Sequence, residues 1–342
     1  MMFIVFFLIF QIFLGYMMPK SKMFFLIELI ISSIIIGGYN GIGDIDNYMY
    51  RYDNKIVTDG IAERLFDVIA VGFKEAGFSF EMFHLIISII ALSIIGYVIY
   101  KMSNKPTLAM ALFFGYSTFE YALQIKALCA ASIIIYALYY FYKNIYLRKN
   151  VMKKKVIYIL LILIATGFHF MAPFFLMFLF INSININKMK RIIVPVTIGV
   201  AVFAKYIVSS LSGYIPTLSS YVDMHRSSIA TIAFCVWQII SLIIVKKIMI
   251  SNLSIENREE DKINLDTFVY KGSWLLILIM PFYSITFIVN RIVKIWSAFF
   301  YTQASNIEIK KGKLPFNIIL IIIYSVGSFI LFYFIGYKRK RL

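Results

Sequence analysis

Cysteine is nearly absent from this chain. The two present, Cys129 and Cys235, both fall inside long apolar runs, which excludes a disulfide framework and any Cys-based zinc site. Charge is scarce as well: 15% of the 342 residues are charged, against about a quarter in a soluble domain. Acids are scarcer than bases, with 17 Asp and Glu against 34 Lys and Arg and a net charge of +17. In so apolar a chain the basic excess reflects cytoplasmic loops rather than nucleic acid. No P-loop, Gly-rich dinucleotide turn, GxSxG elbow or zincin helix is present. An ATP-driven pump, or chemistry on a cytoplasmic nucleotide, therefore has no visible site. No internal repeat or linker divides the chain, so residues 1–342 read as one transmembrane domain.

What is present is hydrocarbon. Hydrophobic residues make up 61% of the chain and mean hydropathy is +0.84. Apolar runs long enough to cross a bilayer recur throughout. They lie at 2–18, 23–39, 82–100, 107–123, 127–142, 156–168, 170–181, 192–211, 229–248, 267–289 and 316–336. The expected fold is all-α, a polytopic integral membrane protein with about eleven transmembrane helices. The run at 2–18 lacks a basic n-region and a small-residue cleavage site, so it reads as a retained span and not a signal peptide.

Lys and Arg set the orientation. Residues 143–155 carry Lys143, Arg148, Lys149, Lys153, Lys154 and Lys155 and are expected in the cytoplasm, together with 101–106 and 19–22. That puts 40–81 outside. A single span over 156–181 would place Lys188, Lys190, Arg191, Lys246, Lys247, Arg258 and Lys262 outside, whereas two short spans place all of them inside. Pro173 supports the break, because its missing N–H would have paired with the His169 carbonyl. The expectation is a hairpin with His169 at its outer apex. Residues 291–305 are amphipathic; setting Lys338 to Arg341 against Lys310, Lys311 and Lys313 slightly favours a helix lying on the outer surface.

Basic residues on the outer side go against this pattern, so each needs a reason. They are Arg51, Lys55, Arg64, Lys74, Lys126, Arg226, Arg291 and Lys294, with His84, His169 and His225 beside them. Ionisable groups at the membrane are costly and tend to line polar pathways or sites. Guanidinium and ammonium groups together suit a phosphate or diphosphate; the plain alternative is snorkelling to anionic headgroups. Lys126, the only charge in a tight turn between two spans, and Arg291, directly after a span, favour the site.

The outer loop from Gly43 to Glu63 gathers the acids Asp44, Asp46, Asp53, Asp59 and Glu63 with the alternating Tyr48, Tyr50 and Tyr52. Carboxylates accept hydrogen bonds from sugar hydroxyls and can act as general bases, and tyrosine offers a stacking face. An ordinary solvated loop with an interfacial aromatic belt reads equally well. Asp44-x-Asp46 could also ligate a divalent metal. In residues 61–78, Glu63, Arg64, Asp67, Lys74 and Glu75 fall within an arc of about 120°, with Ile61, Leu65, Phe66, Val68, Ile69 and Phe73 opposite. This is an amphipathic helix in the outer interface, a floor or lid for a site.

The order of these motifs resembles that of the EpsG-like family of Wzy-type polysaccharide polymerases. The resemblance runs from Asp44-x3-Tyr48-x3-Tyr52 through Glu63 and the Gly-containing amphipathic stretch to the span ending Lys101-Met-Ser-Asn-Lys105. It continues through Gln124-Ile-Lys-Ala-Leu128, where family members more often carry Ile-Arg, through Ala165-Thr-Gly-Phe-His169, and to Arg291 before the aromatic run Trp296 to Tyr301. The resemblance implies a membrane glycosyltransferase in the bacterial plasma membrane with its active site facing outward. It would polymerise undecaprenyl-diphosphate-linked repeat units of an O-antigen, capsule or exopolysaccharide, with no cofactor and no resident metal. A chain-length regulator protein is the implied partner, and nucleic acid is not.

Joined to the residue reading, Lys126, Arg291, Arg51, Tyr48, Tyr52 and Arg226 become candidates for binding substrate, and His169, Asp44, Asp46 or Glu63 for the base. Two alternatives stay open. One is a metal-dependent lipid-sugar transferase using Asp44 and Asp46. The other is a lipid-oligosaccharide flippase or transporter, favoured by Lys205 in the middle of a span.

Overall fold

A computed structural model of the chain describes residues 2–39, 44–60, 62–146, 152–181, 184–213, 228–253, 260–286 and 289–307. Among these residues the protein is entirely helical, with no strand. The helices are α1 (Met2–Met17), α2 (Lys22–Gly37), α3 (Asp44–Asp53), α4 (Arg64–Glu75), α5 (Phe80–Met102), α6 (Pro106–Leu123), α7 (Ile125–Phe141), α8 (Met152–Thr166), α9 (Ile186–Ser212), α10 (Ser228–Leu253), α11 (Glu260–Leu275) and α12 (Val289–Ser305). A π turn over Tyr142–Tyr146 extends α7, and 3-10 segments occupy Ala172–Phe180 and Leu276–Ser284.

Local signals account for many of the boundaries. Ser79 caps α5 by accepting from the Met82 N–H (3.3 Å), and Ser21 does the same for α2 through Phe24. Pro106 opens α6 at a position where its missing N–H costs nothing. Helices lacking a hydrophobic drive against lipid pack through small residues. Gly37 shows why: a Cβ there would lie 2.7 Å from the Leu85 backbone on α5.

Among the described residues, five segments are long and apolar enough to cross a bilayer by themselves: Phe80–Met102, Ile125–Tyr146, Ile186–Ser212, Ser228–Ser251 and Asn264–Ser284. They do not confirm the expected count of about eleven. The runs at 2–18 and 23–39 become helices of 16 residues each, about 24 Å at 1.5 Å per residue, short of a hydrocarbon core of about 30 Å. The run at 107–123 is α6, and 316–336 lies outside the described residues.

Residues 156–181 form a hairpin. Helix α8 stops at Gly167, the chain turns at His169, and the 3-10 segment packs back along α8. The Tyr158 hydroxyl closes the pair by donating to the Phe175 carbonyl (2.5 Å). Pro173 does leave a carbonyl without its helical partner, but the Ala172 N–H takes the His169 oxygen at 3.1 Å. The tighter 3-10 winding is the result.

Helix α12 departs furthest from expectation. Every residue from Val289 to Ser305 except Arg291 is buried, so the surface-lying reading is overturned. One end meets the C-terminal part of α6, where Asn290 donates to Glu120 (3.3 Å). The other end meets the N-terminal side of α6, where Ser305 and Ser103 hydroxyls pair (2.8 Å) and Asn306 accepts from the Asn104 N–H (2.6 Å). Helix α12 therefore runs antiparallel to α6 along its full length, through the middle of the bundle.

Candidate functional site

The site begins with α3 and α4, which are fastened together by aromatic rings. Tyr52 packs against Phe80 (5.6 Å) and Phe83 (5.3 Å) and donates its hydroxyl to the Phe78 carbonyl (2.8 Å). Exposed pairs between Asp53 and Lys74 and between Lys55 and Glu75 close the far edge. The two expected faces of α4 are not kept: Asp67 of the polar arc is buried, while Leu65 and Val68 of the apolar arc are exposed.

Asp67 is turned inward because it has four donors. Arg51 (2.7 Å), the Thr58 N–H (3.0 Å) and the Thr58 hydroxyl (2.5 Å) meet one oxygen, and Lys126 meets the other at 2.8 Å. Burial pushes the Asp67 carboxyl up, but Lys126, Thr58 and Arg51 outweigh it and hold the group below its ordinary value. Arg51 is thus committed to Asp67.

The first turn of α4 docks end-on to α8. The Glu63 N–H donates to the Thr166 carbonyl (3.2 Å) and the Leu65 N–H to the Gly167 carbonyl (2.9 Å). The unpaired donors of one helix start meet the unpaired acceptors of another helix end. The approach is close: a Cβ on Gly167 would lie 2.8 Å from the Leu65 side chain. Glu63 itself adopts the left-handed conformation, φ 69°, at a cost on the order of 1 kcal/mol for a non-glycine residue. That backbone turn brings its carboxylate to 3.6 Å from Lys126.

Lys126 occupies the first turn of α7, just after the Gln124 break that ends α6. A cation there opposes the helix dipole, and Asp67 and Glu63 compensate it. Its ammonium also faces the rings of Phe66 (5.2 Å) and Tyr48 (5.9 Å). Burial pushes the Glu63 carboxyl above its ordinary range, against the pull of Lys126 and Arg291.

The second half comes from α12 and the hairpin turn. Arg291 reaches the Nε2 of His169, and its Nε lies 3.9 Å from Glu120. Lys294, one turn on, forms an ion pair with Glu120. The Met171 N–H donates to Nδ1 on the other side of the ring (3.2 Å), so both ring nitrogens face donors, and a neutral ring accepts at only one of them at a time. Burial, then Arg291 and Lys126, lower the proton affinity of His169, which lies in the turn between its two segments. The ring is neutral.

The two halves form one cluster, since the charges of Lys126 and Arg291 both bear on Glu63 and on His169. Among the described residues, four cations (Arg51, Lys126, Arg291, Lys294) stand against three carboxylates (Glu63, Asp67, Glu120), a net +1 with His169 neutral. Such a site can take an anion, polarise a leaving group and accept a proton.

The structure thus gathers Glu63, Lys126, His169 and Arg291, with Tyr48 at the edge. Tyr52 is a core residue: at 2% exposure no ring face is left for a sugar. Asp44 and Asp46 open α3. Asp44 sits one turn before Tyr48 on the same face, whereas Asp46, two residues on, is rotated by about 200°. Two carboxylates so placed on a helix cannot close on one ion. Arg226 and His225 lie outside the described residues, and Lys205 is exposed on α9. Glu120, Asn290 and the inward turn of Asp67 were not anticipated. An acid inside the apolar run 107–123 was the available signal for Glu120.

Along the 3-10 segment that follows His169 lies a cavity of about 220 Å³ with a wholly apolar lining that includes Met177, Phe180, Ile193, Leu275 and Leu278. A profile of the EpsG family matches residues 22–339. No curated protein and no solved structure matches the chain.

Proposed function

The chain belongs to the EpsG family, a family of Wzy-like polysaccharide polymerases, and from that premise we propose that it joins undecaprenyl-diphosphate-linked oligosaccharide repeat units at the outer face of the bacterial plasma membrane. The observation that carries the reading is the convergence of Lys126, Arg291 and Glu63, from three separate parts of the chain, into one buried cluster with a net positive charge. The basic loops support a placement outside. The turns at 18–21 and 103–106 share the bundle end opposite this cluster, where Thr107 donates to the Ser21 carbonyl (3.0 Å), and their lysines belong in the cytoplasm.

The diphosphate is already activated, so catalysis needs charge stabilisation and a base. The acceptor sugar hydroxyl attacks the anomeric carbon of the donor chain. The bond from that carbon to the diphosphate oxygen breaks, and its electron pair leaves with the diphosphate. Lys126 and Arg291 receive the developing charge. Glu63 takes the hydroxyl proton, losing one negative charge as the leaving group gains one. The total charge in a poorly solvated site then stays constant through the step, which avoids a large electrostatic penalty.

His169 lies against the Arg291 guanidinium through Nε2, so its part is to hold the guanidinium in place. Asp44 and Tyr48 border the approach of the acceptor sugar. The apolar cavity offers room for part of the isoprenoid tail. Arg51, braced on Asp67, fixes the floor. A metal-dependent transferase is disfavoured by the rotation between Asp44 and Asp46, and a flippase by the exposed position of Lys205.

The test is reconstitution of the purified protein in vesicles with a synthetic polyprenyl-diphosphate-linked repeat unit and no nucleotide. A ladder of products, unchanged by a chelator, is expected. Transfer that stops on chelation would support the metal-dependent alternative, and movement of the lipid across the vesicle without joining would support transport.

A further inference from the structure

Glu120 is the one charged residue of α6, and its burial is expensive unless its charge is used. Its carboxylate stands between two like charges on one face of α12: it pairs with Lys294 and lies 3.9 Å from the Arg291 Nε. Asn290 donates to it from the same helix (3.3 Å). Without an anion between them, two cations at i and i+3 repel. Glu120 therefore holds the arrangement whenever no ligand is bound. A diphosphate entering the cluster brings a second anion for the same two cations.

Charge arithmetic gives this rivalry a purpose. A site with Lys126, Arg291 and Lys294 and no opposing carboxylate near α12 would bind a lipid diphosphate most tightly after transfer, when that product carries one more negative charge than the substrate. Tight product would stall each cycle, because binding that does not fall after the transition state slows turnover. We propose that Glu120 is the resident competitor for Arg291 and Lys294, reclaiming both cations as the lipid diphosphate leaves and so setting the rate of product release. The inference rests on the polymerase reading above. Glu120 touches no reacting atom; it is a positioning residue that acts through the cation pair.

The residue separates ligand affinity from turnover, which a purely structural role would not do. Full-length wild type and Glu120→Gln are compared in detergent, with farnesyl diphosphate as the binding probe in calorimetry and with steady-state and single-turnover rates in vesicles. Glu120→Gln keeps the shape and loses the charge. It should bind farnesyl diphosphate about tenfold more tightly or better, with a lower KM and a lower kcat, and its single-turnover rate should fall less than kcat. Glu120→Asp draws the carboxylate back by one methylene and should bind about threefold more tightly than wild type.

If Glu120→Gln fails to reach the membrane, the Asp variant carries the test. Binding equal to or weaker than wild type in whichever variant assembles overturns the inference, as does a rise in KM with both rates falling together. Wild type that does not bind farnesyl diphosphate at all removes the diphosphate site, and with it the polymerase reading. Wild-type binding with no tightening in the variants removes Glu120 alone.

Discussion

The two ends of α12 solve the same problem in opposite ways. At Ser305 and Asn306 the helix joins the 103–105 turn through directed hydrogen bonds. Asn306 accepts from Asn104 (2.6 Å) and donates to the Met102 carbonyl (3.1 Å), and Lys105 of that turn rests on the Ile307 carbonyl (2.6 Å). At Asn290, Arg291 and Lys294 the same helix gathers cations around a single acid and a neutral imidazole. Matched neutral groups stabilise without leaving anything to exchange. A cluster with more cations than acids is a poorer fastener, and its excess charge is what a ligand can use. One end fastens the bundle, and the other is where the proposed function puts the chemistry.

The sharpest break in that comparison comes from Glu63. Glu63→Gln should lower the initial rate of polymerisation by about 10²–10⁴-fold, scored on a product ladder at equal protein. The wild-type rate should also have an acid limb. Glu63 must be ionised to accept a proton, and burial raises its proton affinity despite Lys126 and Arg291. Activity should therefore vanish as pH falls through a value above the ordinary carboxylate figure of about 4.3. A limb at or below that figure would mean that another group is the base.

Arg291→Ala comes next, with a loss of about 10²–10³-fold for one missing charge-stabilising donor. Arg291→Lys should restore part of it, since a point charge cannot hold two oxygens at once. Wild-type product length in the alanine variant would remove Arg291 from the site.

His169→Gln should cost less than about tenfold, because the Gln carbonyl can still accept from the guanidinium. A loss equal to that of Glu63→Gln would make the imidazole the proton acceptor after all. The smallest effect belongs to the neutral end. Asn306→Ala should lower stability by about 1–2 kcal/mol, read as thermal unfolding in detergent, and leave the rate unchanged. A loss of activity without a loss of stability would dissolve the division between the two ends.

Much of the active end was legible from residues alone. Lys126, His169 and Arg291 stood out as bases on the side that lysine and arginine avoid, and the count of loop charges required the hairpin that places His169. The acids were harder. Glu120 lay hidden in a run that reads as hydrocarbon, and Asp67 read as one member of a solvated arc on α4. An amphipathic pattern reports that a helix has a polar face but not what that face meets. For α12 it meets a protein carboxylate and small polar residues, so the pattern that pointed to the surface marks the centre. Apolar run length likewise cannot distinguish a full span from a 16-residue helix or a 3-10 segment, which is why five of the described helices, and not every apolar run, are long enough to cross by themselves.

The enclosure of α12 bears on how this chain can be mapped in a cell. Thiol-labelling scans infer sidedness from which introduced cysteines react, and they read a silent stretch as passage through lipid. Along residues 289–305 every position but 291 is shielded by other helices. A scan would return one reactive site followed by silence, whatever the surrounding bilayer does. The contour of reagent access here is drawn by neighbouring protein, and a topology diagram built from it needs an independent reporter at either end of the helix.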